Sequence, residues 1–297
     1  MPQDQRLLTS RRKMKSSSVK KNMNQALSLN SRPITLRNLP KVRIRDFDGW
    51  FTATKGVSTV SNAVSEWKNL VPGGADLTQS TANLRPALTT INGLTALAPD
   101  GASGRGAATD LLTNGDLMDN IGTGDFYLGC VVSIDGFSLN TFTFIQKKQE
   151  GFGTGNFTIQ LGDSTNKRLR ITNGSTTVIQ TDSDSFNETD KTYFIEIVRI
   201  GTTLTVYKNG ENIKQVTDST DNISQTGDLT IGSINCKLGE FICKKGTMPD
   251  RTRQVIEALM ATKWNIGNAP TLSKRGRASG FGILPASNRF RNRPPRF

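Results

Sequence analysis

Residues 191–215 read KTYFIEIVRIGTTLTVYKNGENIKQ and predict an antiparallel meander. In an extended chain, the odd-numbered side chains of 193–200 face one way and the even-numbered ones face the other. Because both faces are largely apolar, we expect this strand to be covered on both sides. Gly201 breaks the run, and Asn209-Gly210 supplies the two positive-φ residues of a type I′ hairpin before a third short strand.

Similar runs recur along most of the chain. Apolar, β-branched and aromatic segments alternate with Gly, Asn and Asp turns at spacings of about ten residues. They predict ten strands, at 125–134, 141–147, 156–161, 168–173, 176–180, 191–200, 203–208, 211–216, 228–232 and 236–243. This spacing favours an all-β fold, a sandwich of antiparallel sheets, over alternating strands and helices.

One helix is predicted after the last strand. Residues 247–250 read as a capping box with proline in the first turn, and Gly267 lies just past the predicted end. The apolar stripe of this helix comprises Val255, Ile256, Leu259, Met260 and Trp264. We expect it to pack against an edge or an end of the sandwich.

The net charge of +13 is divided unevenly along the chain. Residues 1–45 hold twelve Lys or Arg and one acid, for a net charge of +11, and residues 265–297 hold seven basic residues and no acid. Residues 46–264 carry 19 basic and 24 acidic side chains, for a net charge of −5. The sequence therefore predicts a basic N-terminal arm (1–45), a sandwich (46–266) and a basic tail rich in Arg, Gly and Phe (267–297).

The concentration of basic residues in the two arms is the feature of the sequence that most strongly suggests a function. Their low hydrophobicity predicts disorder in isolation, and such arms usually bind polyanions or an acidic protein surface. Arg alternating with Phe, Gly and Pro suits stacking and phosphate contact, and it equally suits an extended arm laid over a neighbouring subunit. The candidate polyanion- or partner-binding residues are Arg11, Arg12, Lys13, Lys15, Lys20, Lys21, Lys274, Arg275, Arg277, Arg289, Arg291, Arg293 and Arg296.

The order of motifs in the body resembles the concanavalin A-like lectin/glucanase superfamily, in the laminin G-like form found in phage and other virion surface proteins. The stretches that carry the resemblance are 64–69, 85–88, 92–96, 124–133, 197–210, 229–232 and 239–241, followed by the closing helix through Trp264. It covers residues 46–266. The resemblance implies a jelly-roll sandwich, with virion subunits and glycans as the partners to consider.

Composition excludes several catalytic classes. The chain has no histidine, which removes Ser-His-Asp and Cys-His catalysis and every histidine-dependent metal site. The glucanases of the resembling superfamily carry paired carboxylates as Glu-x-Asp-x-Glu or Glu-x-Asp-x-x-Glu, and neither spacing occurs here. Glu196 has no acidic residue two positions away. We therefore predict a protein that is not an enzyme and has no catalytic residues.

No cofactor is predicted, and calcium is the one candidate ion. Acidic loop residues cluster at two places, which are Asp116, Asp119 and Asp125, and Asp182 and Asp184. Such loops can supply the six or more oxygens that calcium takes, although solvated turn carboxylates are the commoner reason for them. Trp50 and Trp67 are candidate sugar-stacking platforms, while Trp67 is also a candidate core residue.

Three cysteines make an odd number, which argues against a closed disulfide framework. Cys130 lies in an apolar run and is expected to be a buried reduced thiol. The sequence leaves open whether Cys236 and Cys243 pair. No apolar run approaches the length of a membrane span, and the basic N-terminus lacks the apolar stretch of a secretory signal, so no membrane partner is predicted.

Three functions are compatible with these patterns. The first is a non-enzymatic structural protein of a large assembly, a virion in the first instance. It would be a homo-oligomeric capsid decoration, spike or fibre protein, anchored by its arms and touching glycans through the sandwich. The second is a capsid or packaging protein whose arms bind the encapsidated nucleic acid. The third is a soluble carbohydrate-binding lectin. The matching locations are the virion, or else the cytoplasm or the extracellular space.

Overall fold

The structure is a computed structural model that describes residues 40–99, 111–113, 117–135, 142–147, 156–161, 165–217, 223, 226–232 and 236–267. In these ranges the chain forms seventeen strands and one α-helix. They are β1 (Gly49–Thr52), β2 (Val57–Val60), β3 (Ala63–Trp67), β4 (Leu77–Thr78), β5 (Ala87–Ile91), β6 (Leu94–Ala98), β7 (Leu111–Thr113), β8 (Phe126–Ile134), β9 (Phe142–Lys147), β10 (Phe157–Leu161), β11 (Leu169–Asn173), β12 (Thr176–Gln180), β13 (Lys191–Ile200), β14 (Thr203–Lys208), β15 (Glu211–Val216), β16 (Leu229–Ile231), β17 (Cys236–Lys245) and α1 (Asp250–Trp264).

The inner sheet is organised around β13 and has the strand order β1-β17-β8-β13-β14-β15, antiparallel throughout. Side chains of β13 alternate between two separate cores. Ile195 and Ile197 join the larger core, and Phe194 and Val198 join the smaller one. The prediction that this strand is covered on both faces is therefore confirmed.

The predicted tight hairpin joins β14 to β15. Asn209 and Gly210 have φ values of 53° and 85°, and Lys208 lies opposite Glu211 in the ladder. The Asn209 side chain also accepts a hydrogen bond from the backbone N–H of Phe194, at 2.8 Å. This bond ties the turn back to the central strand.

The outer sheet has the strand order β3-β4-β7-β16-β9-β10-β11-β12. β2 forms a hairpin with β3 at one end of it. The β5–β6 hairpin touches both sheets, because Ala87 lies opposite Ala63 of β3 and Leu97 lies opposite Leu238 of β17.

The described part of the chain has three layers. Apolar side chains from both sheets meet in the larger core, which includes Phe51, Trp67 and Phe126. The other face of the inner sheet meets α1 in the smaller core, which includes Ile256 and Trp264. The all-β sandwich with one closing helix, predicted from the sequence, is confirmed for the described part of the chain.

The helix packs on the face of the inner sheet that points away from the outer sheet, so the prediction that it packs against an edge or an end of the sandwich is wrong. The ends of the helix also differ from prediction. Pro249 is the N-cap and no side chain caps the helix, because the Thr247 hydroxyl donates instead to Asp125. At the other end Asn265 adopts the left-handed conformation, with φ 49° and ψ 50°, two residues before the expected glycine. Leu259, assigned to the buried stripe, is 44% exposed.

All three cysteines are buried, and none of them forms a disulfide bond. The prediction for Cys130 is confirmed, and the open question of a Cys236–Cys243 bond is answered by topology. Both residues belong to β17, seven positions apart, so their Cα atoms are about 20 Å from each other along an extended strand. A disulfide needs a Cα separation below about 7 Å, so the two cysteines do not pair.

Candidate functional site

The thirteen arm residues predicted to bind polyanions or partners all lie outside the described residues. Neither candidate sugar platform is accessible. Trp67 is fully buried in the larger core, and Trp50 is 7% exposed with its indole N–H donating to Glu240 at 2.7 Å. The two tryptophans are therefore structural, because a stacking platform needs an open ring face.

A buried cluster of charged side chains lies between the inner sheet and α1. Glu196 on β13 accepts a hydrogen bond from the Tyr127 hydroxyl at 2.9 Å and pairs with Arg253 of the helix at 3.3 Å. Arg253 also pairs with Glu257 and Asp250 and stacks over the Tyr207 ring. The helix is thus joined to the sheet by polar contacts as well as by apolar ones.

Burial dominates the electrostatics of this cluster. Burial raises the pKa of Glu196 to about 8, although Arg253 and the Tyr127 hydrogen bond lower it. Burial also raises the pKa of Tyr127 well above its usual value, and Glu196 adds to the effect. Shifted carboxyl groups often mark active sites, but buried ion-pair networks shift them too. Glu196 is fully buried, so we assign this cluster to helix docking.

Glu240 on β17 is a second anchor for the helix. Its carboxylate accepts hydrogen bonds from Trp50, from Lys263 at 2.6 Å and from the indole of Trp264 at 2.9 Å. Lys263 donates in addition to the Thr52 hydroxyl at 2.7 Å. Each carboxylate oxygen therefore has a partner, which is what a buried charge requires.

The outward side of the outer sheet is different, because polar side chains cover it. Strand alternation puts Phe157, Ile159, Leu169 and Ile171 in the larger core and turns their neighbours outward. Ladder register aligns these outward residues in two rows across β16, β9, β10, β11 and β12. The rows are Thr230–Gln146–Thr158–Thr172–Thr177 and Thr143–Gln160–Arg170–Gln180. These nine residues are here called the polar face.

The polar face spans about 19 Å across its five strands, because neighbouring strands lie about 4.8 Å apart. Eight of its nine side chains are uncharged hydroxyls or amides. Thr158 and Thr172 are buried at its centre and hydrogen-bond to each other, and Gln146, Gln160 and Arg170 around them are half-buried. The centre of the surface is therefore formed by buried threonine side chains, and longer polar side chains surround them.

The Thr230 hydroxyl is the most informative group on this face. It is buried, with 4% of the residue exposed, and it has no hydrogen-bond partner within the described ranges. A buried hydroxyl without a partner costs about 1–3 kcal/mol, so the group calls for an explanation such as a bound water or ligand. The group lies where the first row of the polar face begins.

Sequence reasoning placed the strands of this face but did not identify the face itself. The signal was present as Thr, Gln and Arg at alternate positions of the predicted strands 141–147, 156–161 and 168–173. What the local sequence lacks is the information that β16 lies beside β9, a pairing between distant segments.

The acidic residues proposed as calcium ligands are mostly engaged elsewhere. Asp119 pairs with the buried Lys147, Asp125 accepts hydrogen bonds from Gly201 and Thr247, and Asp182 pairs with Lys214. Asp116 lies outside the described residues. Among the described residues, no three metal-binding side chains lie together. Calcium binding stays a prediction.

Of the helical segments that the structure describes, none combines the length and apolar character needed to cross a membrane.

Comparison with known proteins shows the fold. No protein-family model matches the chain, and no curated protein matches it. The binding domain of Paraclostridial Mosquitocidal Protein 1 superposes with a TM-score of 0.55 at 12% identity, covering 73% of this chain and 53% of that one.

Botulinum neurotoxin domains superpose in the same way. The type G receptor binding domain has a TM-score of 0.52 at 12% identity, over 72% of this chain and 51% of that one. The binding domain of neurotoxin DC in complex with SialylT has a TM-score of 0.51 at 13% identity, over 72% and 52%. The chain thus spans about half the length of these structures. At such identity the likeness shows a shared β-sandwich and nothing about ligands.

Proposed function

We propose that the chain is a non-enzymatic glycan-binding module and that the polar face is its binding surface. The observation that carries the proposal is the polar face itself, with its eight uncharged hydroxyls and amides, its one arginine and the unpartnered buried hydroxyl of Thr230. Threonine hydroxyls and glutamine amides both donate and accept hydrogen bonds, as sugar hydroxyls do.

Two further observations support this proposal. The binding domain of botulinum neurotoxin DC, about half of which superposes on this chain, is known in complex with SialylT. The carboxyl group of Glu196, whose pKa burial raises to about 8, is fully buried and held by Tyr127 and Arg253, so it suits helix docking better than catalysis.

Binding of neutral hexasaccharides to the full-length protein tests the proposal, with maltohexaose, cellohexaose and carboxyl-reduced chondroitin hexasaccharide as probes in calorimetric titration. We expect at least one to bind, and the double variant Gln146→Ala/Gln160→Ala to bind it about thirtyfold more weakly, since each of the two lost hydrogen bonds is worth about 1 kcal/mol. Gln215→Ala, on the exposed edge strand β15, is the matched control. Equal losses in the variant and the control, or no binding at all, would contradict the proposal.

The charge distribution supports a second proposal, which concerns the arms. We propose that the arms of +11 and +7 anchor the module in a larger assembly such as a virion, against neighbouring copies of the chain, or bind its nucleic acid. Virion decoration and genome packaging differ in what the arms contact, which is an acidic protein surface in one case and phosphates in the other.

Salt dependence separates the two uses of the arms. Binding of a short DNA duplex and of a single strand is measured for the full-length protein and for residues 46–266 at several salt concentrations. Phosphate contacts predict a steep loss of affinity with salt for the full-length protein and little binding by the shortened one. Absence of binding by both at moderate salt would favour arms that dock on protein.

A further inference from the structure

Two arginines lie at one corner of the polar face. Arg170 belongs to β11 and Arg168 precedes that strand by one residue. The alternation that buries Leu169 completely in the larger core turns both arginines outward, about 7 Å apart along the chain. Both side chains are half-buried, so they pack partly against the protein surface and do not extend fully into solvent.

The two arginines have no acidic partner in the part of the chain that the structure describes. Within the described residues, no carboxylate forms an ion pair with Arg168 or Arg170, and the arginines that do form ion pairs are Arg43 and Arg253. Asp182 lies two residues beyond Gln180, the last residue of the neighbouring strand β12. It pairs with Lys214 at 2.9 Å and not with either arginine. Within the described residues, the positive charges of this corner are therefore not paired with a carboxylate.

Arg170 is also oriented. Its Nε donates to the Thr177 hydroxyl at 3.0 Å, and the structure gives its two terminal nitrogens no hydrogen bond within the described ranges. A guanidinium group held in this way presents a planar pair of donors, the arrangement that binds a carboxylate or a sulfate through two parallel hydrogen bonds.

We propose that Arg168 and Arg170 bind the anionic group of an acidic saccharide, a carboxylate or a sulfate ester, whose neutral hydroxyls lie along the polar face. This inference rests on the proposed glycan-binding function and specifies its ligand class. It assigns affinity for the neutral part of the ligand to the threonine and glutamine rows, and selectivity for acidic ligands to the arginine corner.

Three matched hexasaccharides test it: chondroitin, which carries carboxylates, chondroitin sulfate, which adds sulfates, and carboxyl-reduced chondroitin, which is neutral. Calorimetric titrations use the full-length protein and its variants Arg168→Gln, Arg170→Gln and Arg251→Gln at physiological salt. Arg251 is an exposed helix residue, so its variant removes the same charge elsewhere. All variants keep both basic arms, so any contribution from the arms is the same in each.

We expect at least one acidic probe to bind about tenfold or more tightly than the neutral one, because charge-assisted bidentate bonds are the stronger class. Arg168→Gln and Arg170→Gln should abolish this preference, and Arg251→Gln should retain it. If the variants lose a preference for chondroitin over the neutral probe, the bound group is a carboxylate. If they lose a preference only for chondroitin sulfate, the bound group is a sulfate ester.

Other outcomes overturn the inference in distinguishable ways. Equal affinity for acidic and neutral probes would overturn it while leaving the glycan-binding function standing. If both arginine variants still bind the acidic probes more tightly than the neutral one, the anionic group of the saccharide binds elsewhere on the protein. Binding of a single-stranded oligonucleotide but of no hexasaccharide would overturn the glycan-binding function together with the inference.

Discussion

Glu196 lies near the middle of β13 with its carboxyl group fully buried between the Tyr127 hydroxyl and the Arg253 guanidinium. Its pKa of about 8 in the folded protein compares with 4.5 in a free chain. Between these two values the folded protein holds a proton that the unfolded chain releases. The free energy of unfolding therefore falls as the pH rises from about 4.5 to about 8.

The Glu196→Gln variant tests this linkage. Glutamine is neutral at every pH and can still accept the Tyr127 hydrogen bond, so the variant should lose this part of the pH dependence. At pH 9 it should be more stable than the wild type by a few kcal/mol, since each pKa unit corresponds to about 1.4 kcal/mol. Urea unfolding at pH 5, 7 and 9 measures the difference. Glu211→Gln, at an exposed position, is the control, and parallel curves for Glu196→Gln and wild type would refute the prediction.

At the scale of elements, α1 depends on a glycine in the strand beneath it. Gly239 lies where the β17–β8 register shifts, and a Cβ atom there would be 2.6 Å from the Trp264 ring. The indole of Trp264 therefore lies directly on the backbone of β17. This close approach also allows its N–H to reach Glu240 at 2.9 Å.

We expect Gly239→Ala to lower the free energy of unfolding by about 1–3 kcal/mol, the usual cost of overpacking, because the ring must move away from Glu240. Gly267→Ala is the control, because its added Cβ would meet nothing within 4 Å. Thermal unfolding and protease cleavage in α1 are the measurements. An unchanged melting temperature together with unchanged cleavage would count against the proposed role of Gly239.

The elements were predictable where the local pattern is strong. All ten predicted strands coincide with observed ones to within two residues at either end. β1 to β7 were not predicted as strands, because several are very short or largely exposed, such as β4 with two residues and β5 with three exposed ones. The missing helix cap has a similar cause, since Thr247 finds a tertiary partner in Asp125 that the local sequence does not reveal.

At the scale of the whole molecule, the two sheets have different environments. The inner sheet is covered on both faces, by the outer sheet and by α1, while the outer sheet turns a polar surface away from the core. Hydrophobic alternation predicts both facts strand by strand. The polar face, however, depends on which strands are neighbours, and pairings such as β16 with β9 are set by tertiary structure.

The alternation along β9 to β12 separates two structural roles within the same strands. Core positions such as Ile159 and Ile171 maintain the fold, while the intervening positions contribute little to the apolar core. Substitutions at Gln146, Gln160 and Gln180 can therefore accumulate without unfolding the domain. The same property makes these positions suitable for a combinatorial library, in which a stable scaffold is kept and new ligand specificities are selected.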